Sequence, residues 1–228
     1  MIKLFISEGC TFRCSYCAEI KAFPEYKSFP LSKIVEEAKR MVEKTGEKRL
    51  CLWSDDTGAY GTDIGLTLPD LLDALVKEIA GAKISIIQIN PFYWNKYKDR
   101  ILQHVQTGTV FQIEAPIQSA NNRVLELMKR PYTNDELRGL FGPVKGIAGF
   151  ELLTHMIVGF PSETEEEFME TLNFILEFKP RWVLTSAYMS VPDTVAACME
   201  HHLSGEERYR RIQYAYEKMK KMGIVCTY

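Results

Sequence analysis

Cys10, Cys14 and Cys17 lie within eight residues of one another as Cys-x3-Cys-x2-Cys. They follow directly on the apolar run Ile2-Lys3-Leu4-Phe5-Ile6. Three thiolates so close together, with no fourth cysteine nearby in the sequence, suit a metal centre that keeps one coordination position open. In a cubane iron–sulfur cluster, three protein thiolates leave one iron available to another ligand. A structural zinc site instead closes its shell, usually with two spaced ligand pairs, and only one group exists here. A disulfide framework belongs to small secreted chains. Inert buried cysteines are common, but three rarely share one strand-to-helix loop.

Such a loop needs a frame. The chain has 228 residues, 46% of them hydrophobic. That suffices for one well-cored domain, expected over residues 1–228. No apolar run approaches the roughly 20 residues of a membrane span. Six cysteines without a secretory signal point to a reducing, cytoplasmic setting. The net charge of −2 supplies no basic excess, which weighs against a nucleic-acid partner. The basic stretch from Arg208 to Lys221 carries Tyr209, Ile212, Tyr216 and Met219 at helical spacing and reads as a helix with a solvated outer face.

Strand and helix patterns alternate along the whole chain. Short apolar runs predict strands at residues 2–7, 48–53, 83–89, 109–115, 151–158 and 181–188. Helical periodicity follows each: Leu31 to Val42, 69–79, 93–105, 120–129 with 133–141, 163–178 and 204–222. Ser162 with Glu165 reads as the capping box of the 163–178 helix. Alternation implies right-handed crossovers and a parallel sheet. The expected fold is α/β: either a partial (βα)6 TIM-like barrel of parallel strands or a doubly wound sheet.

In both folds the ligand site lies at the C-terminal ends of the strands. The cysteine loop follows the first strand, and Trp53-Ser54-Asp55-Asp56 the second. Asn90-Pro91, Gln118-Ser119, Gly159-Phe160-Pro161 and Tyr188-Met189-Ser190 follow the others. Glu114, near the end of a buried strand, is costly without a partner, which favours a site role over structural pairing. His155 reads first as a core or rim histidine. Phe92, Tyr93, Trp94 and Tyr97 read first as packing between helix and sheet.

The cysteine segment, with Tyr16 before its third cysteine, resembles the radical S-adenosylmethionine (radical SAM) superfamily. SDDTGAYGTDIG at 54–65, APIQSANNRVLELMKRPYT at 115–133 and MIVGFPSETEEEF at 156–168 resemble its methylthiotransferase-like branch, in the family's order. The likeness runs from residue 1 to about residue 195 and selects the partial barrel. It implies that Cys10, Cys14 and Cys17 hold a 4Fe-4S cluster whose open iron takes SAM. It also implies an electron donor of flavodoxin or ferredoxin type, reductive cleavage of SAM, and hydrogen abstraction from a small-molecule or peptide substrate.

The same resemblance suggests roles for other residues. Tyr16 lies near the adenine or packs within the loop. Ser54 and Asp55 stand where relatives have a polar motif for the SAM amine. Asp56 serves there instead, or both acids cap a turn. Gly159 allows backbone approach to the adenine, with Phe160 covering it, or forms an ordinary strand-end turn. Gln118 and Ser119 reach the ribose hydroxyls, and Glu114 and Met189 are further cofactor-binding positions. Arg123 and Arg130 are candidates for the SAM carboxylate. Cys51, Cys198 and Cys226 could return a hydrogen atom as thiols, or simply pack.

The sequence also departs from those relatives. Only nine residues precede Cys10, where they carry a domain with a second cluster, so that domain is expected to be missing. Residues 22–29 lack the arginines of their loop, and residues 188–194 lack an arginine and a glycine. The first reading is therefore a radical SAM enzyme of unknown substrate. The alternatives are a methylthiotransferase core acting on tRNA or protein, and a non-catalytic iron–sulfur or zinc module.

Overall fold

The computed structural model describes the backbone of residues 1–228 and every side chain except those of residues 19 and 20. The chain divides into two compact units. One comprises Met1–Phe12, Glu19–Ala115 and Gly146–Glu151; the other comprises Arg13–Ala18, Pro116–Lys145 and Leu152–Tyr228.

The first unit opens with β1 (Ile2–Phe5) and β2 (Ser7–Glu8), followed by α1 (Glu19–Ala22), β3 (Lys27–Ser28) and α2 (Leu31–Thr45). It continues with β4 (Arg49–Trp53), α3 (Leu68–Glu78), β5 (Lys83–Ile86), α4 (Pro91–Lys96), α5 (Lys98–Gln106) and β6 (Val110–Glu114). Strands β1, β4, β5 and β6 lie side by side and parallel, in chain order. Ile34, Val35 and Ala38 form the buried stripe of α2, which packs on β1. Leu68, Leu71, Leu72 and Leu75 do the same for α3, whose N-terminus is closed by a capping box of Thr67 and Asp70. Parallel order puts the C-terminal ends of all four strands on one side. The segments that start at Ser54, Gln88 and Ala115 therefore leave the sheet on the same side as the start of the cysteine loop.

The second unit contains α6 (Asn122–Leu127), α7 (Asn134–Val144), β7 (Glu151–Val158, its first residue in the other unit), α8 (Glu165–Phe178), β8 (Trp182–Ala187), α9 (Gly205–Lys221) and β9 (Val225–Thr227). Strands β7, β8 and β9 are parallel and adjacent. Phe141, Phe174 and Phe178 interlock between α7 and α8, with ring centroids 4.6–5.8 Å apart. A smaller buried cluster of Val124, Met128, Phe160, Tyr188 and Ala196 packs against Tyr16.

These elements bear out the expected α/β class with parallel strands, and the differences are local. The first strand stops at Phe5; Ser7 and Glu8 pair instead with Ser28 and Lys27 in an antiparallel ribbon. The third strand stops at Ile86, because Gln88 takes a left-handed φ of 61°. The helix expected over 93–105 is two helices joined at Tyr97. The cap of α8 is Thr164 with Glu167, two residues later than expected. Ser162 cannot serve, since its φ of 63° is left-handed and an N-cap needs extended backbone. The strand β9 has three residues, too few for a readable alternation.

Candidate active site

The cysteine loop begins at Gly9, where φ is 77° and a Cβ would stand 2.6 Å from the Glu25 carbonyl oxygen. Only glycine fits both conditions. Its N–H donates to Asp55 Oδ2 at 2.9 Å, so the carboxylate after β4 fixes the turn that presents Cys10. The Phe12 N–H points at Cys10 Sγ, 3.4 Å away. Thr11 Oγ1 and the Tyr93 hydroxyl are 3.0 Å apart, and the Phe12 ring meets Phe92 and Tyr93 edge-on at 5.6 Å. Burial pushes the Tyr93 phenol up. Phe92 and Tyr93 of α4 thus pack against and hold this loop, and Trp94 is buried.

Ser54, directly after β4, is completely buried, and its hydroxyl has no hydrogen-bond partner among the described residues. A buried polar atom left this way is costly unless something arrives to bond it. Asp56, also buried, accepts from the Gly58 and Asn90 N–H groups at 3.1 and 3.2 Å and caps a single 3₁₀ turn. Glu114 is partly buried and accepts from Gln88 Nε2 at 2.7 Å, so structural pairing satisfies it. Cys51 lies buried within β4, its thiol pushed up by burial.

In the second unit, Cys14 and Cys17 close a tight turn through a Cys17 N–H to Cys14 carbonyl bond of 3.1 Å. Ser15 is the strut of that turn. Its N–H reaches the Met128 carbonyl at 3.1 Å, its hydroxyl the Leu127 carbonyl at 2.7 Å, and its own carbonyl accepts from Ala196 at 2.8 Å. Arg130 donates to Cys14 Sγ at 3.5 Å and to the Tyr132 hydroxyl at 2.6 Å. Tyr16 stands edge-on to Phe160 at 6.4 Å. Burial raises the Tyr16 phenol strongly, and the Arg130 charge only partly offsets this. Burial likewise pushes Tyr132 up to about 12.

The remaining candidates have varied surroundings. Gln118 adopts a φ of 66°, and its backbone bridges onto β7 through His155 and Ile157. The Ser119 hydroxyl is engaged with Thr171 at 3.1 Å and with the Asn121 N–H at 3.1 Å. Arg123 clasps Glu167 at 2.6 and 2.7 Å and donates to the Ser162 carbonyl. Gly159 has φ 74°, and a Cβ would fall 2.2 Å from Arg208 Cγ, so Arg208 fills the space in front of it. Phe160 is wholly buried, Met189 and Cys198 are exposed, and His155 packs edge-on to Trp182.

Sequence reasoning did not find Glu163 and Arg211. Glu163 accepts from the Gly159 N–H at 2.7 Å and from Arg211 at 3.1 Å, with both side chains almost fully buried. Burial pushes Glu163 up to about 7 against both partners. The Gly-x3-Glu spacing of a strand-end turn could have signalled this.

The donor set fits an iron–sulfur cluster. None of the three loop cysteines is in a disulfide, an N–H points at Cys10 Sγ, and a guanidinium donates to Cys14 Sγ. Among the described residues, no three His, Cys, Asp or Glu side chains already gather around one point that would hold a single ion. A cubane asks for a different arrangement, because each thiolate binds a separate iron.

The model of the radical SAM superfamily matches residues 4–175. The chain is 34% identical over 210 residues to the threonylcarbamoyladenosine tRNA methylthiotransferase of Caenorhabditis elegans, covering 91% of this chain and 49% of that one. It is 33% identical over 222 residues to the ribosomal protein uS12 methylthiotransferase RimO of Colwellia psychrerythraea, covering 92% and 48%. The chain thus spans about half the length of these relatives. Among solved structures it resembles the radical S-adenosylmethionine methyltransferase TsrM of Kitasatospora setae, determined with cobalamin and a [4Fe-4S] cluster. The TM-score is 0.71 at 15% identity, over 86% of this chain and 38% of that one. That likeness shows the TIM-like fold.

Proposed function

This chain belongs to the radical SAM superfamily, and from that premise we propose that it is a radical-generating enzyme core acting on a small molecule or peptide. The observation that carries the reading is the Cys10, Cys14 and Cys17 loop at the end of β1, anchored by hydrogen bonds on both sides. A 4Fe-4S cluster held there by Cys10, Cys14 and Cys17 would supply the electron for reductive cleavage of SAM. The three thiolates would each hold one iron. Asp55 fixes the Gly9 turn and Ser15 fixes the turn around Cys14, so the loop is ordered before any ligand arrives. The unspent Ser54 hydroxyl is the group we assign to the amino-acid moiety of SAM. Tyr16, backed by the buried Phe160, would give an apolar surface that keeps water and stray hydrogen donors away. Cys51 or Cys198 would return a hydrogen atom if the reaction needs one.

The test is anaerobic reconstitution followed by reduction with dithionite in the presence of SAM. The protein should form 5′-deoxyadenosine, and replacing Cys10, Cys14 and Cys17 with alanine should abolish it. Undiminished formation in the triple variant refutes the reading.

A second reading, a methylthiotransferase core acting on tRNA or protein, is favoured by the shared names of the relatives. It predicts a methylthiolated product when the chain is supplied with tRNA or ribosomal protein, SAM as methyl donor and radical source, a reductant and a sulfur source.

A further inference from the structure

The charged partners of the arginines in the second unit differ. Arg123, Arg138, Arg210 and Arg211 each face a carboxylate at 2.6–3.1 Å. Arg130 faces none. Its guanidinium donates to the Pro116 carbonyl at 2.5 Å, to the Tyr132 hydroxyl at 2.6 Å and to Cys14 Sγ at 3.5 Å. It also lies over the Tyr132 ring, 5.1 Å from its centroid. The Tyr132 hydroxyl donates in turn to the Ile117 carbonyl at 2.8 Å, so the fork is held from behind. A partly buried cation is costly unless negative charge opposes it. Of its three hydrogen-bond partners, the Pro116 carbonyl is neutral and burial keeps the Tyr132 phenol protonated at ordinary pH, which leaves the sulfur to carry such charge, as a cluster-bound thiolate does.

Adding an electron to a cluster makes it more negative. A fixed positive charge and a hydrogen bond at a ligand sulfur therefore stabilise the reduced form more than the oxidised form. We propose that Arg130 is a positioning residue that raises the reduction potential of the cluster held by Cys10, Cys14 and Cys17. It thereby brings the cluster within reach of a one-electron donor of the flavodoxin or ferredoxin class. The step is a single-electron transfer: the donor loses one electron, the cluster gains it, and no bond is made or broken. This inference rests on the cluster reading above. It also removes Arg130 from the residues available to the SAM carboxylate.

The experiment is a redox titration followed by electron paramagnetic resonance, without SAM, on reconstituted wild type, Arg130→Gln, Arg130→Lys and Tyr132→Phe. At a fixed solution potential, Arg130→Gln should lower the ratio of reduced to oxidised cluster by about tenfold. Arg130→Lys, which keeps the charge, should retain most of the wild-type ratio. Tyr132→Phe, which loosens the guanidinium, should fall between wild type and Arg130→Gln. An Arg130→Gln cluster that titrates like wild type overturns the proposal, and so does a lysine variant that shifts as far as glutamine. If Arg130→Gln folds by circular dichroism but holds no iron, Tyr132→Phe decides, and an unchanged ratio there overturns it. A wild-type chain that takes up no iron refutes the cluster reading as well, which separates the two failures.

Discussion

At the end of β4 the buried hydroxyl of Ser54 has no hydrogen-bond partner among the described residues, while the turn after β7 is closed on itself. There the Gly159 N–H goes to Glu163, the Glu163 N–H to the Phe160 carbonyl, and the Ser162 N–H to the His201 carbonyl. Arg211 then binds the Glu163 carboxylate along with Glu165 and Glu207. Both segments follow a parallel strand and carry the small and polar residues expected of a ligand site. One has spent its polar groups on holding its own shape, and the other has kept one in reserve. Residue type and place in the fold therefore do not settle which strand end meets a ligand. The inventory of hydrogen bonds does so better.

The sharpest way to break this contrast is to damage the closed turn. At a pH above about 7, where Glu163 is ionised, Arg211→Met leaves it buried without its cation and should cost about 3–5 kcal/mol in chemical denaturation. A loss below about 1 kcal/mol would mean that the ion pair does not hold the turn. Gly159→Ala must face both a left-handed φ and the Arg208 side chain, and should cost roughly 2–3 kcal/mol.

Glu163 also gives the closed turn a pH signature. Its folded-state value, pushed up by burial to about 7, exceeds the ordinary 4.5. The folded chain therefore holds a proton that the unfolded chain releases within that window. Its contribution to stability is complete below the lower value and is lost as pH rises through the upper one. The loss is on the order of 3 kcal/mol. Glu163→Gln should flatten that part of the stability–pH curve, and an unchanged slope in denaturant melts across the window would contradict the assignment.

The smallest effect on stability belongs to the open strand end. Ser54→Ala removes a buried hydroxyl with no partner among the described residues and should raise the stability of the ligand-free chain by about 1 kcal/mol. Binding of SAM to the reconstituted protein should nonetheless weaken by up to about tenfold, read by calorimetry. Unaltered SAM affinity would remove Ser54 from the site.

Much of this architecture is legible in the sequence. Cys-x3-Cys-x2-Cys stands out because three thiols in one loop have few other uses. The parallel strands read clearly because runs such as Leu50-Cys51-Leu52 are apolar on both faces. The limits arise where a side chain's partner is distant in sequence. Glu114 reads as a costly orphan until Gln88 folds across to meet it, and Ser119 as a free hydroxyl until Thr171 takes it. Arg130 is 116 positions from Cys14, and no local pattern announces that pairing. The misplaced α8 cap has a different cause: Ser162 and Thr164 both offer a hydroxyl three residues before a glutamate, and only backbone conformation separates them.

The most direct test of the central claim is an iron count and an electron paramagnetic resonance spectrum of the anaerobically reconstituted, dithionite-reduced chain, with and without SAM. The account predicts about four irons per chain and a cluster signal that SAM perturbs by binding the iron the cysteines leave open. No bound iron, or a cluster whose signal is indifferent to saturating SAM, would contradict it.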